Sequence, residues 1–390
     1  MHYNITNTNS AIIEIAKFSN SATSEYHLII KPKQQNSFND QLNSILDGYS
    51  EFSKNQELTS TNTVTFLRFF ISDYANQLEI ETILNAHPCG KSKNLSLSIV
   101  QQPPLSGNKI EAWFHVIVDS TGSSVIQQQN NELLLQRNHY LHVWNTQLIT
   151  NNGSHESDKQ TENIFTRFNH NLESKGLTLK DNCIRTWLFV KDVDFNYKGV
   201  VEARRTFFET VGLTKDTNYI TSTGIEGRIH SPNINVLMDA YSVGGIKKEQ
   251  IKFLTAPNHL NPTIDYGVTF ERGTSIDYGD RRHIFISGTA SIDNQGEVVH
   301  VGLIEKQAYR AIENIEALLA DADASLNDVA HLIVYLRDVS DYTIIQKFFN
   351  ENYAHLPKVI VLAPVCRPTW LIEMECIAIK KLKNSVYADF

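Results

Sequence analysis

Two acidic residues near the end of the chain have the type and spacing needed for proton transfer. Glu373 and Glu375 alternate with apolar residues in the segment WLIEMECIAI, which predicts a strand carrying both carboxyl groups on one face. Burial raises the pKa of a carboxyl group, and a second acid nearby raises it further. A carboxylic acid kept protonated in this way can donate a proton to carbon, as cleavage of an enol ether requires. Glu373 is therefore the predicted proton donor, and rim acids paired with Arg or Lys are the alternative interpretation.

Arginines are the candidate ligands for a carboxylated substrate, because a guanidinium binds a carboxylate through two parallel hydrogen bonds. A single arginine is more often a solvated surface charge, but several lie in the middle and last thirds of the chain. These candidates are Arg204, Arg205, Arg228, Arg272, Arg281, Arg282 and Arg367. Within this set, Arg204, Arg281 and Arg367 are the predicted substrate-binding residues, together with Glu375.

Cys366 is the second predicted catalytic residue. It follows an apolar segment and precedes Arg367, whose positive charge is expected to favour the thiolate. A small buried hydrophobic residue is the alternative interpretation. The cysteines show no CxxC spacing, which is typical of free thiols in a reducing cytoplasm; they are Cys89, Cys183, Cys366 and Cys376.

The composition excludes several classes of protein. The 390 residues include 35 Lys and Arg against 43 Asp and Glu, and the resulting net charge of -8 argues against a dedicated binder of nucleic acid or of anionic membranes. The apolar stretch 359–366 is too short to span a bilayer. HExxH, GxxxxGK[ST] and GxGxxG motifs are absent, so we predict no metal and no cofactor. The expectation is a cytoplasmic protein that binds a small anionic molecule.

The elements that must position these residues recur along the chain. In the last third, the strand HIFIS precedes a predicted hairpin with its turn near Asn294 and Gly296. A helix at 305–321, a strand in AHLIVYLRDVSD, a second helix and two final strands follow. The middle segment CIRTWLFVKDVDFNY matches VAHLIVYLRDVSDYT, and TFLRFFISDYANQ is a weaker match near the N-terminus. We therefore predict an α+β protein with three related modules, at 1–125, 126–245 and 246–390.

The alternation of the final strand indicates how three modules would pack. Ile372, Met374, Cys376 and Ala378 form an apolar face that is expected to lie under helices. The opposite face is also largely apolar, apart from its acids. A sheet with helices on one face must cover its other face, and three modules around an axis would do so.

The C-terminal module resembles the YjgF/YER057c/UK114 family, also called RidA, in the strings FISGTASID, ENIEALLADADASLNDV, VYLRDVSDY and WLIEMECIAI. Members of that family are typically homotrimers with clefts between subunits, and many hydrolyse enamines and imines. The resemblance implies that three modules in one chain form an intramolecular pseudo-trimer. Counting back from Glu373 places Lys358 where the deaminases of the family have a carboxylate-binding arginine.

Within that superfamily the chain is most similar to the chorismatases, on the string CRPTWLIEME at residues 366–375. Weaker matches are HVWNT, ARRTFF, ITSTGIEG and SGTASI. Chorismatases of this kind release the enolpyruvyl group of chorismate as pyruvate, and the resemblance assigns the proton donor to Glu373. In the subclass that forms 3-hydroxybenzoate, a Cys matches Cys366 as base or nucleophile, and a Gly matches Gly288, which leaves room for the ring. Strand geometry is an equally good reason for glycine there.

Three functions follow as hypotheses. The first is a chorismatase-like lyase or hydrolase of aromatic secondary metabolism, acting on chorismate or a related carboxylated cyclic substrate. The second is a RidA-like enamine or imine hydrolase or tautomerase. The third is a non-catalytic, ligand-binding pseudo-trimer. A chain that closes its own ring of modules is expected to be a monomer or a small homo-oligomer.

Overall fold

The structure, a computed structural model, describes residues 1–20, 22–33, 36–56, 58, 62–88, 95–150 and 153–390, and Cys89 lies outside them. These residues form three six-stranded mixed sheets with helices, which confirms the predicted α+β class and the three tandem modules. The second sheet begins at Val125 and the third at Ile251. The module boundaries at 125/126 and 245/246 stay a prediction.

All three sheets have the same strand order. Counted within a module, the order is 1-2-3-6-4-5, and strands 4 and 5 pair in parallel. The first sheet contains β1 (His2–Asn7), β2 (Ala11–Ser19), β3 (Thr23–Pro32), β4 (Asn62–Ile71), β5 (Leu95–Gln101) and β6 (Ile110–Asp119). The second contains β7 (Val125–Gln129), β8 (Glu132–Arg137), β9 (Tyr140–Leu148), β10 (Cys183–Val190), β11 (Thr221–Glu226) and β12 (Val236–Gly244). The third contains β13 (Ile251–Phe253), β14 (Gly273–Asp277), β15 (Arg281–Ala290), β16 (Val329–Leu336), β17 (Lys358–Leu362) and β18 (Ile372–Lys381).

Helices connect strand 3 to strand 4 and strand 4 to strand 5 in each module. They are α1 (Phe38–Asn55), α2 (Ile80–Ala86), α3 (Ser157–Glu173), α4 (Leu179–Asn182), α5 (Val193–Thr210), α6 (Ile304–Asp321) and α7 (Tyr342–Asn352). The helix predicted at 305–321 is α6, and its apolar residues Ala308, Ile312, Ile315 and Leu319 are buried. Met374 and Cys376 of β18 are buried in the same core. These two residues therefore lie on the face of the last strand that the alternation predicted to pack under helices.

The hairpin predicted after β15 is present but short. Its two sides form one antiparallel bridge, between Ile292 and Val298, and the backbone N–H groups of Asp293 and Val299 donate to the carbonyl oxygens of Glu297 and Ser291. The turn residue is as predicted, since Gly296 has φ 84°. A second hairpin, which the sequence did not predict, joins β15 to the preceding strand β14, so each module has three strands before its first helix.

The inner faces of the three sheets meet, and each of the three interfaces contains a buried arginine–carboxylate pair. Arg68 lies 2.8 Å from Asp239 between the first and second modules. Arg185 lies 2.7 Å from Glu375 between the second and third. Arg281 lies 2.5 Å from Glu25 between the third and first. Buried charges without partners are costly, so these pairs favour a single relative position of the modules.

Among the described residues, no helix is long and apolar enough to cross a membrane.

The Arg68–Asp239 pair generates a stability prediction. Both side chains are fully buried, so Arg68→Met leaves an unpaired buried carboxylate and is expected to lower the free energy of unfolding by about 3–5 kcal/mol. The double variant Arg68→Met with Asp239→Leu should recover part of this loss, because it removes the unpaired charge but leaves Ser98 and the backbone N–H of Gln147 without their acceptor. Urea unfolding followed by circular dichroism measures both.

The control for that experiment is Lys159→Met, since Lys159 and Glu162 form an exposed pair 3.4 Å apart. Its effect is expected to stay within about 0.5 kcal/mol. A loss below about 1 kcal/mol for Arg68→Met would show that the interface does not depend on this pair.

Candidate functional site

A cavity of about 140 Å³ lies between the second and third modules. The second module contributes residues of α5 and β11, and the third contributes β15, β18, the segment before β14 and the loop after β17. The lining residues are Tyr197, Arg204, Ser222, Thr223, Gly224, Val268, Phe270, Arg272, Gly288, Ala290, Ile292, Cys366, Arg367, Trp370 and Glu373. It combines arginines, aromatic rings and one buried acid, as small-molecule sites do.

Glu373 is the acid of this cavity. It lies on β18, opposite Ala290 of β15 and Tyr335 of β16, and Glu373 as a whole is only 6% exposed. Burial, together with the nearby Glu375 carboxylate, raises the pKa of its carboxyl group to about 8, against the lowering effect of Arg185 and Arg272. Glu373 is thus protonated at neutral pH and can act as a general acid.

The space for this carboxyl group depends on Gly288. The pairing of β15 with β18 is irregular between Ile286 and Thr289, and Gly288 lies in that irregular segment. A Cβ atom on Gly288 would lie 2.1 Å from Oε1 of Glu373. Its backbone N–H donates to Oγ1 of Thr223, 2.9 Å away in the second module. Any larger residue here would displace the Glu373 carboxyl group.

Glu375 lies outside this cavity. Its Oε2 accepts a hydrogen bond from Arg185 at 2.7 Å, and its Oε1 accepts one from the indole N–H of Trp187 at 2.7 Å. The same arginine donates to Oγ1 of Thr223, which also binds Gly288. The contacts of Glu375 are therefore with the second module, and it affects the site through its charge on Glu373.

The surroundings of Cys366 differ from the predicted thiolate environment. The half-buried thiol lines the cavity, and desolvation raises its pKa to about 12, with the Glu373 carboxyl group raising it and Arg367 lowering it. The thiol is hydrogen-bonded to Tyr197, whose ring occupies the space that a side chain on Gly224 would fill. Cys366 is accordingly a neutral thiol at physiological pH.

Three arginines reach the cavity. Arg204 on α5 is 1% exposed and donates from Nε to Oγ1 of Thr269 at 3.2 Å. Arg272 donates to the carbonyl oxygen of Asn261 from Nε and Nη2, at 3.3 and 3.1 Å. The guanidinium of Arg367 lies 4.8 Å from the centre of the Trp370 ring. The cavity thus has positive charge on both modules.

Other arginines that the sequence singled out lie elsewhere. Arg281, a predicted substrate-binding residue, is fully buried against Glu25, Asp280 and Thr23 at the interface of the third and first modules. Arg228 pairs with Asp192 and Glu226, and Arg282 pairs with Asp277 and Asp323. Arg205 donates to the Gly267 carbonyl group. The structure therefore brings together Glu373, Cys366, Arg367, Arg204 and Gly288 and leaves Arg281 and Glu375 outside.

Sequence reasoning missed several lining residues. Arg272 was only one of many candidate cations, and Tyr197, Thr223 and Trp370 were not predicted as site residues. Trp370 lies in the loop that leads to β18, within the string CRPTWLIEME that carries the chorismatase resemblance, so that string already indicated this loop. Tyr197 and Thr223 belong to the second module, and only the packing of the modules brings them to Glu373.

Lys358 does not take the place of an arginine in this cavity. It begins β17, and its ammonium group donates to the carbonyl oxygen of Leu356 at 3.0 Å, while its backbone N–H donates to Glu14 of the first module at 2.9 Å. Burial lowers the pKa of Lys358 to about 8. It therefore belongs to the interface between the third and first modules.

A larger cavity of about 570 Å³ lies in the second module, beside α3. Amide side chains are the largest group in its lining, and its acid, Glu132, is paired with Lys175 at 3.0 Å. That carboxylate is engaged in an ion pair within the second module, so the inter-module cavity, which contains Glu373, is the better candidate for chemistry.

Comparison with known proteins places the third module in a family. The protein-family model described as Endoribonuclease L-PSP matches residues 276–380 of this chain. A RutC family protein of Pyrococcus abyssi is 42% identical over 101 residues, which are 25% of this chain and 79% of that protein. The chain belongs to the YjgF/RidA family. Its RidA match covers β15 to β18 and therefore includes Gly288, Cys366 and Glu373.

Two further similarities concern named activities and the whole fold. The 3-aminoacrylate deaminase RutC of Acinetobacter baylyi is 31% identical over 97 residues, 24% of this chain and 77% of that enzyme. A crystal structure of a chorismatase matches with a TM-score of 0.61 at 18% identity, covering 92% of this chain and all of that one. The second similarity shows that the RidA modules share the chorismatase fold over nearly the full chain.

The raised pKa of Glu373 generates a prediction on stability. The pKa of this carboxyl group is about 8 in the folded chain. In an unfolded chain a glutamate has a pKa of about 4.3. Unfolding therefore releases a proton between these values, and rising pH favours the unfolded chain. Relative to Glu373→Gln, the wild type is expected to lose roughly 1.4 kcal/mol of unfolding free energy per pH unit in this window.

Urea unfolding at several pH values measures this difference, and Glu305→Gln is the control because Glu305 is exposed on α6. The control should follow the wild type at every pH. A constant difference between wild type and Glu373→Gln would mean that Glu373 is ionised in the folded chain.

Proposed function

We propose that the cavity between the second and third modules catalyses pyruvate release from chorismate or a related carboxylated cyclic enol ether. The observation that carries this proposal is the protonated Glu373, with a pKa of about 8, buried beside three arginines. An acid that stays protonated at neutral pH suits a reaction that begins with proton transfer to carbon. The chorismatase fold of the chain supports the same reaction class.

The reaction begins when Glu373 transfers its proton to the terminal methylene carbon of the enolpyruvyl group. The methylene becomes a methyl group, and the carbon attached to the ether oxygen becomes an oxocarbenium ion. Water attacks this carbon and returns a proton to the Glu373 carboxylate. The resulting hemiketal then breaks the bond between this carbon and the ether oxygen while its hydroxyl proton moves to that oxygen, which releases pyruvate and the ring alcohol with the acid regenerated.

The arginines supply the binding of the substrate carboxylates. Arg204 extends from the second module, while Arg272 and Arg367 extend from the third, so a dicarboxylate would contact both modules. Hydrogen bonds from guanidinium to carboxylate are charge-assisted and geometrically specific. Phe270 and Trp370 supply apolar surface for the ring. Gly288 leaves the space beside Glu373 free, as the resemblance to the chorismatases implied.

A coupled assay tests the proposed reaction. Chorismate is incubated with the purified full chain, and pyruvate is measured through lactate dehydrogenase. Wild type is expected to release pyruvate, and Glu373→Gln to reduce kcat by roughly 100- to 10,000-fold, the range for loss of a general acid. Glu305→Gln is the matched control and should keep full activity, because Glu305 is exposed on α6.

Arg204→Met or Arg272→Met should mainly raise KM, because the arginines bind the substrate carboxylates and transfer no proton. Absence of pyruvate with wild type would contradict the enol ether reaction, whereas unchanged activity in Glu373→Gln would contradict the role of Glu373.

The pH profile gives an independent prediction. Glu373 must carry a proton to begin the reaction, so kcat/KM is expected to fall about tenfold per pH unit above about pH 8. Glu373→Asp, which keeps the carboxyl group at a greater distance, should retain such a limb at a lower rate. A profile that is flat up to about pH 10 would exclude an acid with the pKa of Glu373.

A second candidate function rests on the 31% identity to the RutC deaminase. A protonated carboxyl group could equally protonate the carbon of an enamine, after which water attacks the imine and ammonia leaves. Release of ammonium from 3-aminoacrylate, lost in Glu373→Gln, would support this reaction. If neither substrate is converted but chorismate or another cyclic dicarboxylate still binds, the remaining hypothesis, ligand binding without catalysis, is favoured.

A further inference from the structure

A cluster of histidines and one glutamate lies at the centre of the molecule, apart from the candidate active site. Glu25 and His27 lie two residues apart on β3, and His115 of β6 is paired with His27. Since strand side chains alternate between faces, all three project from the inner face of the first sheet. One candidate metal-ligand atom from each lies within 4.8 Å of the others, and the three residues are buried.

His27 supplies the observation that points to a ligand. Its residue is 2% exposed, and its Nε2 has no hydrogen-bond partner among the described residues. Its other ring nitrogen, Nδ1, lies 3.2 Å from Nδ1 of His331 and 3.3 Å from the indole nitrogen of Trp113. A buried polar atom without a partner is rare in folded proteins and needs a physical reason.

His115 adds a second feature that suits a cation. Its Nε2 lies 3.1 Å from Oε2 of Glu25, and its Nδ1 lies 2.7 Å from the Thr65 hydroxyl group. That hydroxyl group also lies 3.3 Å from the carbonyl oxygen of His115. When the hydroxyl donates to the carbonyl, His115 carries its proton on Nδ1 and donates it to Thr65. In that tautomer the lone pair of Nε2 faces the carboxylate, and a cation between the two groups would bind both.

The remaining oxygen of Glu25 is already fixed. Oε1 accepts hydrogen bonds from Arg281 at 2.5 Å and from Nε2 of His283 at 2.8 Å. Both donors belong to the third module, so they orient the carboxylate while Oε2 remains directed toward His115. Outer contacts of this kind are what hold the ligands of metal sites in place.

We propose that Glu25, His27 and His115 bind one divalent zinc-class ion through Oε2 and the two Nε2 atoms. Two histidines and one carboxylate are an established ligand set for a tetrahedral ion, with bonds of about 2.0–2.2 Å. A cavity of about 30 Å³ bordered by these residues provides the volume of one water molecule as the fourth ligand.

Binding requires a defined tautomer of His27. Its proton must be on Nδ1, where it is donated to Nδ1 of His331, so that Nε2 is free to bind the ion. The indole N–H of Trp113, which donates to Nδ1 of His27 at 3.3 Å, then loses this hydrogen bond. Each ligand histidine then has a partner for its second nitrogen, Thr65 for His115 and His331 for His27.

The surroundings of the site point to a structural role for the ion. The cavity is bordered by aromatic rings from all three modules, including Trp113, Trp144 and Phe285. The ligands come from the first module, but Glu25 is also bound by Arg281 and His283 of the third. The ion would therefore stabilise the junction of these two modules.

The metal content of the purified full chain tests this proposal. The chain is produced in medium with added Zn²⁺ and passed through a desalting column, and zinc is measured by inductively coupled plasma mass spectrometry. One ion per chain is expected for wild type, with loss in His27→Gln. The control His170→Gln should keep its zinc, because His170 is exposed on α3 and is not part of the cluster.

Production with Co²⁺ gives a second measurement on the wild type alone, which needs no folded variant. Visible absorption bands of tetrahedral Co²⁺ with nitrogen and oxygen ligands are expected. Substoichiometric zinc in wild type, equal zinc in His27→Gln, or the spectrum of octahedral Co²⁺ would each overturn the proposal.

Discussion

The ion pair between Arg185 and Glu375 is the interaction on which the candidate site depends. It joins the second and third modules, and its glutamate lies on β18, two residues after Glu373. Burial is the larger cause of the raised pKa of Glu373, and the negative charge of Glu375, which accepts hydrogen bonds from Arg185 and Trp187, raises it as well. Two acids with the same side chain thus have different roles, one a charged anchor and the other a protonated acid, through their surroundings.

The three interfaces are built on one strand order but differ at the position of the acid. In the first module the counterpart of Glu373 is Glu111, which accepts hydrogen bonds from Ser106 and Asn108 within its own module. In the second module the counterpart is the apolar residue Leu237. Where the second module meets the first, Gln147, whose φ is 52°, donates from its side chain to the carbonyl oxygen of Ile99. The repeated fold therefore provides the framework, and side chains at a few positions decide at which interface an acid at this strand position lines a cavity.

Sequence patterns predicted what depends on local periodicity. The alternation of β18 was sufficient to place Glu373 and Glu375 on an inner face, and the repeated strand exits were sufficient to predict three modules. Arginines could not be assigned in this way, since a charge in the sequence does not reveal its partner. Arg281 was predicted to bind substrate and is buried against Glu25, while Arg272, which was not selected, reaches the cavity. These outcomes are decided by contacts between residues hundreds of positions apart.

The neutral state of Cys366 narrows the chemistry that the cavity can perform. With the thiol pKa near 12 and that of Glu373 near 8, the carboxyl group loses its proton first as pH rises, and the thiol keeps its proton beside Tyr197. A thiolate nucleophile would have to form after the proton of Glu373 has been transferred, and the new carboxylate charge would oppose it. Capture of the oxocarbenium ion by water requires no second ionisation. Within the proposed reaction, the electrostatics of the cavity therefore favour capture by water over a path that begins with the sulfur atom.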